Sequence, residues 1–164
     1  MSTEDDHDRR TDSRPMEQAA QSARAEGDPG SGPPADNSGE EADSINDQVI
    51  RDLRSLSTDD PDGFLVELID LFQTDAVDYL ARIEESAKTA NASAVRKNAH
   101  GLKGSSGNLG AQKMSALCNQ IEAAAGESLP DWNKMNPLIV ALSHEAVRVK
   151  RALDQRRHQA KQPK

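Results

Sequence analysis

The sequence predicts an all-α protein: an antiparallel up-down four-helix bundle with an additional short N-terminal helix, preceded by a disordered tail. Three observations carry this expectation. Apolar residues beyond Ser44 recur at spacings of three and four, the period of a single helix face. Only four aromatics occur, Phe64, Phe72, Tyr79 and Trp132, so a core drawn from 35% hydrophobic residues must be mainly Leu, Ile, Val, Ala and Met, which suits helices better than sheets. The connections between periodic segments are a few residues long, which favours antiparallel neighbours.

Residues 1–43 are polar and rich in Gly and Pro. Such a segment buries too little apolar surface to offset its ordering entropy, so it is expected to be disordered. The bundle is expected over residues 44–157. Ile45, Val49, Leu53 and Leu56 mark one face of a short first helix, with Asp43 or Ser44 as its N-cap. Asp60 caps a second helix with Pro61 at its first position, and Phe64, Leu65, Leu68, Ile69, Phe72, Ala76, Leu80, Ile83 and Ala87 trace its inward stripe to about Lys88.

Asn91 caps a third helix, which should end at Asn108-Leu109-Gly110, where a glycine can adopt a left-handed stop. A fourth runs from about Ala111 to Ala125, with Met114, Leu117, Cys118, Ile121 and Ala125 inward and Gly126 closing it. Asp131 to Met135 reads as a separate turn, and Asn136-Pro137 as N-cap and first position of the last helix, whose inward residues are Leu138, Ile139, Leu142, Ala146, Val149 and Leu153. Residues 158–164, basic and polar, should fray.

The formal net charge of −8 is unevenly placed. Residues 1–44 hold 12 acidic and 4 basic side chains, leaving 16 of each beyond them. The body is therefore neither a nucleic-acid binder by bulk charge nor a repelling acidic surface. Cys118 falls in register with Met114, Leu117 and Ile121 and reads as a small buried hydrophobe. No apolar run approaches the ~18 residues of a membrane span, and Met-Ser-Thr-Glu-Asp-Asp lacks the regions of a signal peptide, so a soluble cytoplasmic protein is expected.

The chemistry concentrates in Asn98-Ala99-His100-Gly101-Leu102-Lys103-Gly104-Ser105-Ser106-Gly107-Asn108-Leu109-Gly110-Ala111. Propensity alone makes this a loop. Yet Val95, Ala99, Leu102, Ser106 and Leu109 form one apolar stripe, so the third helix should run through the glycines. At roughly 100° per residue, Arg96, His100, Lys103, Gly104 and Gly107 share a second stripe. Each interior glycine costs about 0.5–1 kcal/mol relative to alanine and so needs a reason. For Gly104, one turn beyond His100, the simplest reason is access to an edge of the imidazole.

Several motifs fail. Lys103-Gly104-Ser105 has the wrong order for a phosphate-binding loop and no strand before it. Gly104-x-x-Gly107 is like the clamp of an RNA-binding KH domain, a fold that needs a sheet. His7, His100, His144 and His158 show no metal-ligand spacing with Cys118 or one another, so no metal site is expected. With no base, oxyanion donor or metal set beside His100, no autonomous enzymatic activity is expected. What remains is a nucleophilic imidazole.

The run His100-Gly-Leu-Lys-Gly-Ser-Ser followed by Leu109-Gly110-Ala111 resembles the signature of histidine-containing phosphotransfer (HPt) domains. The resemblance spans about Ile45 to Leu153, taking in Phe64-Leu65-x-x-Leu68-Ile69-x-Leu71-Phe72 and Leu117-Cys118-x-x-Ile121-Glu122. The family more often has a larger residue where Gly101 stands, a departure expected to loosen the helix. The resemblance implies a phosphorelay: His100 accepts a phosphoryl group from one receiver aspartate and passes it to another. It implies no cofactor in this chain, the Mg²⁺ lying in the receiver. The implied partners are receiver domains of response regulators and hybrid sensor histidine kinases, landing on the short first helix, at Val49, Leu53 and Leu56, and on the start of the second. No nucleic acid or membrane is implied, and a monomer is expected.

Lys103 is placed to offset the added charge, Gly104 gives clearance, Glu122 is a candidate for orienting the other ring nitrogen, and Arg96 and Gly107 share the stripe as supporting positions. Two other function classes stay open. One is a phosphoacceptor module phosphorylated in trans by a chemotaxis-type histidine kinase; the other is a non-catalytic helical adaptor whose histidine is incidental.

Overall fold

Asn46, Asp60, Asn91 and Asp131 each turn a side-chain oxygen onto a backbone N–H two or three residues ahead, and each of these caps starts a helix. The computed structural model describes residues 44–162, and the expected disordered tail, residues 1–43, lies outside the described residues, as do the last two residues of the expected frayed end. Among the described residues the chain forms α1 (Asp47–Ser55), α2 (Pro61–Lys88), α3 (Ala92–Asn108), α4 (Gln112–Ala125) and α5 (Trp132–Ala160), and no strand. Helices α2 to α5 each pack on the next, and α2 closes the ring on α5, with α1 laid against α2. Along that closing seam Asp70 pairs with Arg157, Gln73 with Asp154 and Glu84 with Ser143, numbers rising on one helix as they fall on the other, so the two run antiparallel.

The core is aliphatic, as composition requires. Leu65, Ile69, Ile83, Val95, Leu102, Met114, Ile121, Met135, Leu142, Val149 and Leu153 are fully buried. Helix α3 survives its glycines because of this packing. Gly101, Gly104 and Gly107 together cost about 1.5–3 kcal/mol, about what one fully buried leucine contributes, and α3 buries Leu102 and Val95 completely. Cys118 is buried, and that burial pushes its thiol up to about 12, against a smaller opposing effect of Lys103.

Three boundaries depart from expectation. The N-cap of α1 is Asn46, whose Oδ1 accepts from Gln48 N–H at 2.9 Å, and not Asp43 or Ser44. Ile45 is buried just ahead of the helix, Ile50 takes the inward position, and Leu56, at the C-cap, is 70% exposed. Helix α5 is capped by Asp131, not Asn136, and passes through Pro137, giving up the bond that residue's missing N–H would make. The fully buried Met135 ties the first turn into the core, which makes the earlier start worth keeping. At its other end α5 continues to Ala160, beyond the fray expected from residue 158, because Arg156 reaches Asp47 on α1 (Nε to Oδ1, 3.1 Å) and Arg157 reaches Asp70 on α2 (2.9 Å).

Gly110 makes the left-handed stop between α3 and α4, with φ of 79°. Its carbonyl accepts from Asn46 N–H at 2.9 Å, which pins the start of α1 to the turn after the histidine helix. A Cβ at this position would stand 3.0 Å from Val49 Cβ and 3.2 Å from the Asn46 carbonyl oxygen. Gly110→Ala is therefore expected to destabilise the bundle by about 1–3 kcal/mol through left-handed strain and the displaced α1. A denaturant midpoint equal to that of the wild type would refute this.

Candidate functional site

His100 lies at the middle of α3, on the face turned away from Val95, Ala99 and Leu102, and its side chain is 68% exposed. Helix α4, antiparallel beside it, brings Glu122 across: Oε1 lies 2.9 Å from His100 Nδ1, while Oε2 accepts from Lys103 Nζ at 2.5 Å. One carboxylate thus holds both. The ammonium of Lys103 also lies 3.5 Å from Asn119 Oδ1, a contact the sequence pattern did not single out. The glutamate is mostly shielded, its side chain 19% exposed, and the hydrogen bonds from Lys103 first and His100 second hold its carboxyl below the ordinary value of 4.5.

Glu122 therefore remains an acceptor-only carboxylate. An imidazole nitrogen facing it donates a proton, and in the neutral ring that leaves Nε2 as the nitrogen with a free lone pair. The ring is oriented and its tautomer set by the same bond.

The glycines of this helix do different work. A Cβ on Gly104 would meet nothing within 4 Å, so the space one turn beyond His100 is open. At Gly107 a Cβ would stand 3.7 Å from Ser115 Oγ, and that hydroxyl donates to the Lys103 carbonyl at 3.1 Å. A methyl group at Gly107 would therefore make ordinary contact with α4 and displace nothing. Arg96 makes no hydrogen bond or ion pair with His100; its guanidinium carbon passes 3.4 Å from the Cβ position of Gly126, and it shares with Lys103, Asn119 and Glu122 a shallow depression of about 320 Å³.

The expected docking residues divide. Val49 is half-buried against Gly110, Leu53 is half-buried, and Leu56 is exposed. Leu53 borders a depression of about 260 Å³ that also includes Leu68, Leu71, Ser105 and Asn108 and so reaches the histidine helix. Leu71, 61% exposed, falls off the inward stripe of α2, and that displacement is the signal by which it could have been picked out. His144 and His158 are exposed on α5, and His7 lies outside the described residues. Among the described residues no group of three or more metal-ligating side chains is gathered, and no helix is long and apolar enough to cross a membrane.

A family model, Hpt domain, matches residues 67–159, more than half of the chain, and includes His100, Lys103, Gly104 and Glu122. The chain belongs to the Hpt-domain family. In keeping with Hpt membership, the fold is similar to the crystal structure of histidine-containing phosphotransfer protein B (HptB) from Pseudomonas aeruginosa PAO1, with a TM-score of 0.64 and 25% sequence identity over 71% of this chain and 96% of that one. No curated protein matches the chain. The Hpt match begins within α2, so α1 and its capping by Asn46 stand ahead of the matched segment.

Proposed function

We propose that this chain is a phosphorelay intermediate: Nε2 of His100 takes a phosphoryl group from the aspartyl phosphate of one receiver domain and delivers it to the aspartate of another. The observation that carries the reading is the exposed imidazole with Nδ1 on Glu122 and nothing over Gly104. In the forward step the N–P bond forms as the acyl P–O bond breaks, and the receiver's carboxylate leaves with the electron pair. The ring, protonated at Nδ1, then carries positive charge, which the Glu122 carboxylate 2.9 Å away stabilises. Return to a second receiver reverses these bonds.

Little beyond position is asked of the protein, because the transition state is loose and in line. Lys103 keeps Glu122 ionised in the resting state and is close enough to offset charge on the phosphorylated ring. No cofactor is assigned to this chain; the Mg²⁺ belongs to the receiver. The partners on this reading are receiver domains of response regulators and hybrid sensor histidine kinases, docking over Leu53, Leu56 and Leu71 beside α3. A small patch suffices, since transient signalling contacts fall at the low end of about 1,200–2,000 Å². The test is incubation with a phosphorylated receiver: acid-labile, alkali-stable label should pass to this chain and then to a second receiver. Label acquired only from a kinase with ATP would overturn the relay.

Glu122→Gln gives a separate expectation. The amide can face Nδ1 with either its oxygen or its nitrogen, so the tautomer is no longer imposed, and transfer should slow by roughly 10-fold. The carboxyl is also depressed in the folded state. Its contribution is therefore fully present above the ordinary carboxylate range and is lost as pH falls through the lowered folded value. Wild-type stability should drop in that acid window more steeply than that of Glu122→Gln, as read by melting at stepped pH. Parallel profiles would show that the bonds seen here do not matter to folding.

A further inference from the structure

Gly101 follows His100 directly, and neither access to the imidazole nor the packing of α4 explains it. A Cβ built there would stand 2.7 Å from Cε1, from Cζ and from the hydroxyl oxygen of Tyr79, closer than side chains approach. The outer rim of the Tyr79 ring occupies the volume that a side chain at 101 would fill. Helix α3 is therefore not loosened at this glycine; it is packed from α2, where Tyr79 is half-buried. Glu122 from α4 thus reaches His100 and, one turn along α3, Lys103, while Gly101, the next residue after the histidine, is packed by a phenol from α2.

The two flanks differ in what they leave available. Lys103 and Nδ1 are both committed to Glu122. The Tyr79 hydroxyl has no hydrogen-bond partner among the described residues and is not enclosed. Cα atoms of consecutive residues are about 3.8 Å apart, so a hydroxyl 2.7 Å from the Cβ position of residue 101 lies close to the backbone that carries His100. Gly104, one turn along, adds no cover.

We propose that Tyr79 is a specificity-determining residue of the transfer site: its hydroxyl donates a hydrogen bond to an acceptor oxygen on the docked receiver, and Gly101 is small so that the phenol can come that close to the backbone carrying the histidine. The assignment rests on the phosphotransfer reading. It adds a recognition contact from α2, outside the apolar patch of Leu53, Leu56 and Leu71.

The test uses the full chain, Tyr79→Phe, Gly101→Ala and the double variant, with two phosphodonors. One is phosphoramidate, small enough to need no docking; the other is the phosphorylated receiver that transfers fastest to the wild type. Tyr79→Phe keeps the ring, so its melting temperature and its labelling by phosphoramidate should match the wild type. The receiver concentration at half-maximal rate should rise by about 3- to 10-fold, the loss expected for one hydrogen bond, with the saturated rate little changed. Gly101→Ala, which pushes the ring aside, should give a similar rise and add nothing in the Tyr79→Phe background. An unchanged half-saturating concentration in Tyr79→Phe would overturn the proposal while leaving the relay intact. Absence of label from both donors would remove the relay reading and this proposal with it.

Discussion

Replacing His100 by Gln is expected to abolish phosphoryl labelling while leaving the helical circular dichroism and the melting temperature essentially unchanged. The side chain is 68% exposed, and its one strong contact is the Nδ1 bond to Glu122. A glutamine amide removes the ring nitrogen that would attack phosphorus yet can still offer a donor to that carboxylate, so no buried charge is stranded. Lys103, 2.5 Å from Glu122 on its other oxygen, keeps the carboxylate paired in either case. The remaining described histidines have no equivalent setting. His144 lies in a depression bordered by Lys88, Ile139 and Val140, and His158 lies in the last turn of α5. Acid-labile, alkali-stable label persisting on a folded His100→Gln protein would place the phosphoacceptor elsewhere.

Much of this arrangement is legible in the sequence, because each piece has a local cause. Asp60-Pro61, Asn91 and Gly110 act within a few residues of themselves, and the structure puts them at the cap, cap and left-handed stop that their chemistry dictates. The apolar stripe through Val95, Ala99, Leu102 and Ser106 identified a helix that propensity would have rejected, since burial outweighs a few glycines. Where two local cues competed, the reading failed. Asp131 and Asn136-Pro137 can each start a helix, and the choice was made by Met135 reaching the core, which is a tertiary fact. The reach of α5 to Ala160 depends on Asp47 and Asp70, more than eighty residues away in sequence. Glu145, on the inward stripe of α5, is only 3% exposed, facing Lys113 from α4 at 3.8 Å. A stripe drawn from apolar residues passes over it.

At the candidate site the same division holds. Spacing along one helix assembled His100, Lys103 and Gly104, while the bond from Glu122 and the ring of Tyr79 come from neighbouring helices. Glu122 was within reach of inference, because one turn of α4 could be aligned with α3 through a short connection. Tyr79 was not. The departure at Gly101 pointed only to a missing side chain, and nothing in the local pattern says that a phenol from α2 fills the gap.

Gly104→Gln is the substitution in which folding and transfer should part most widely. In a helix interior glycine costs about 0.5–1 kcal/mol relative to alanine, and glutamine is nearly as good a helix former as alanine. The position is exposed and a Cβ there meets nothing within 4 Å, so the longer side chain enters solvent without displacing any neighbour. The variant should therefore melt at the same temperature as the wild type or somewhat higher. Transfer should behave oppositely. Residue 104 stands one turn from His100 on the same face, so a glutamine there projects into the path by which a receiver brings its aspartyl phosphate in line with Nε2. Displacement of the reacting atoms by about 1 Å can cost on the order of 100-fold in rate, and a loss of that order is expected with a phosphorylated receiver. Gly104→Ala, whose methyl group reaches less far, should fall between the two. Labelling by phosphoramidate needs no docked domain and should fall much less, which separates obstruction of the partner from damage to the imidazole. Transfer from the receiver at the wild-type rate by a folded Gly104→Gln protein would mean that the docking face lies on another side of α3.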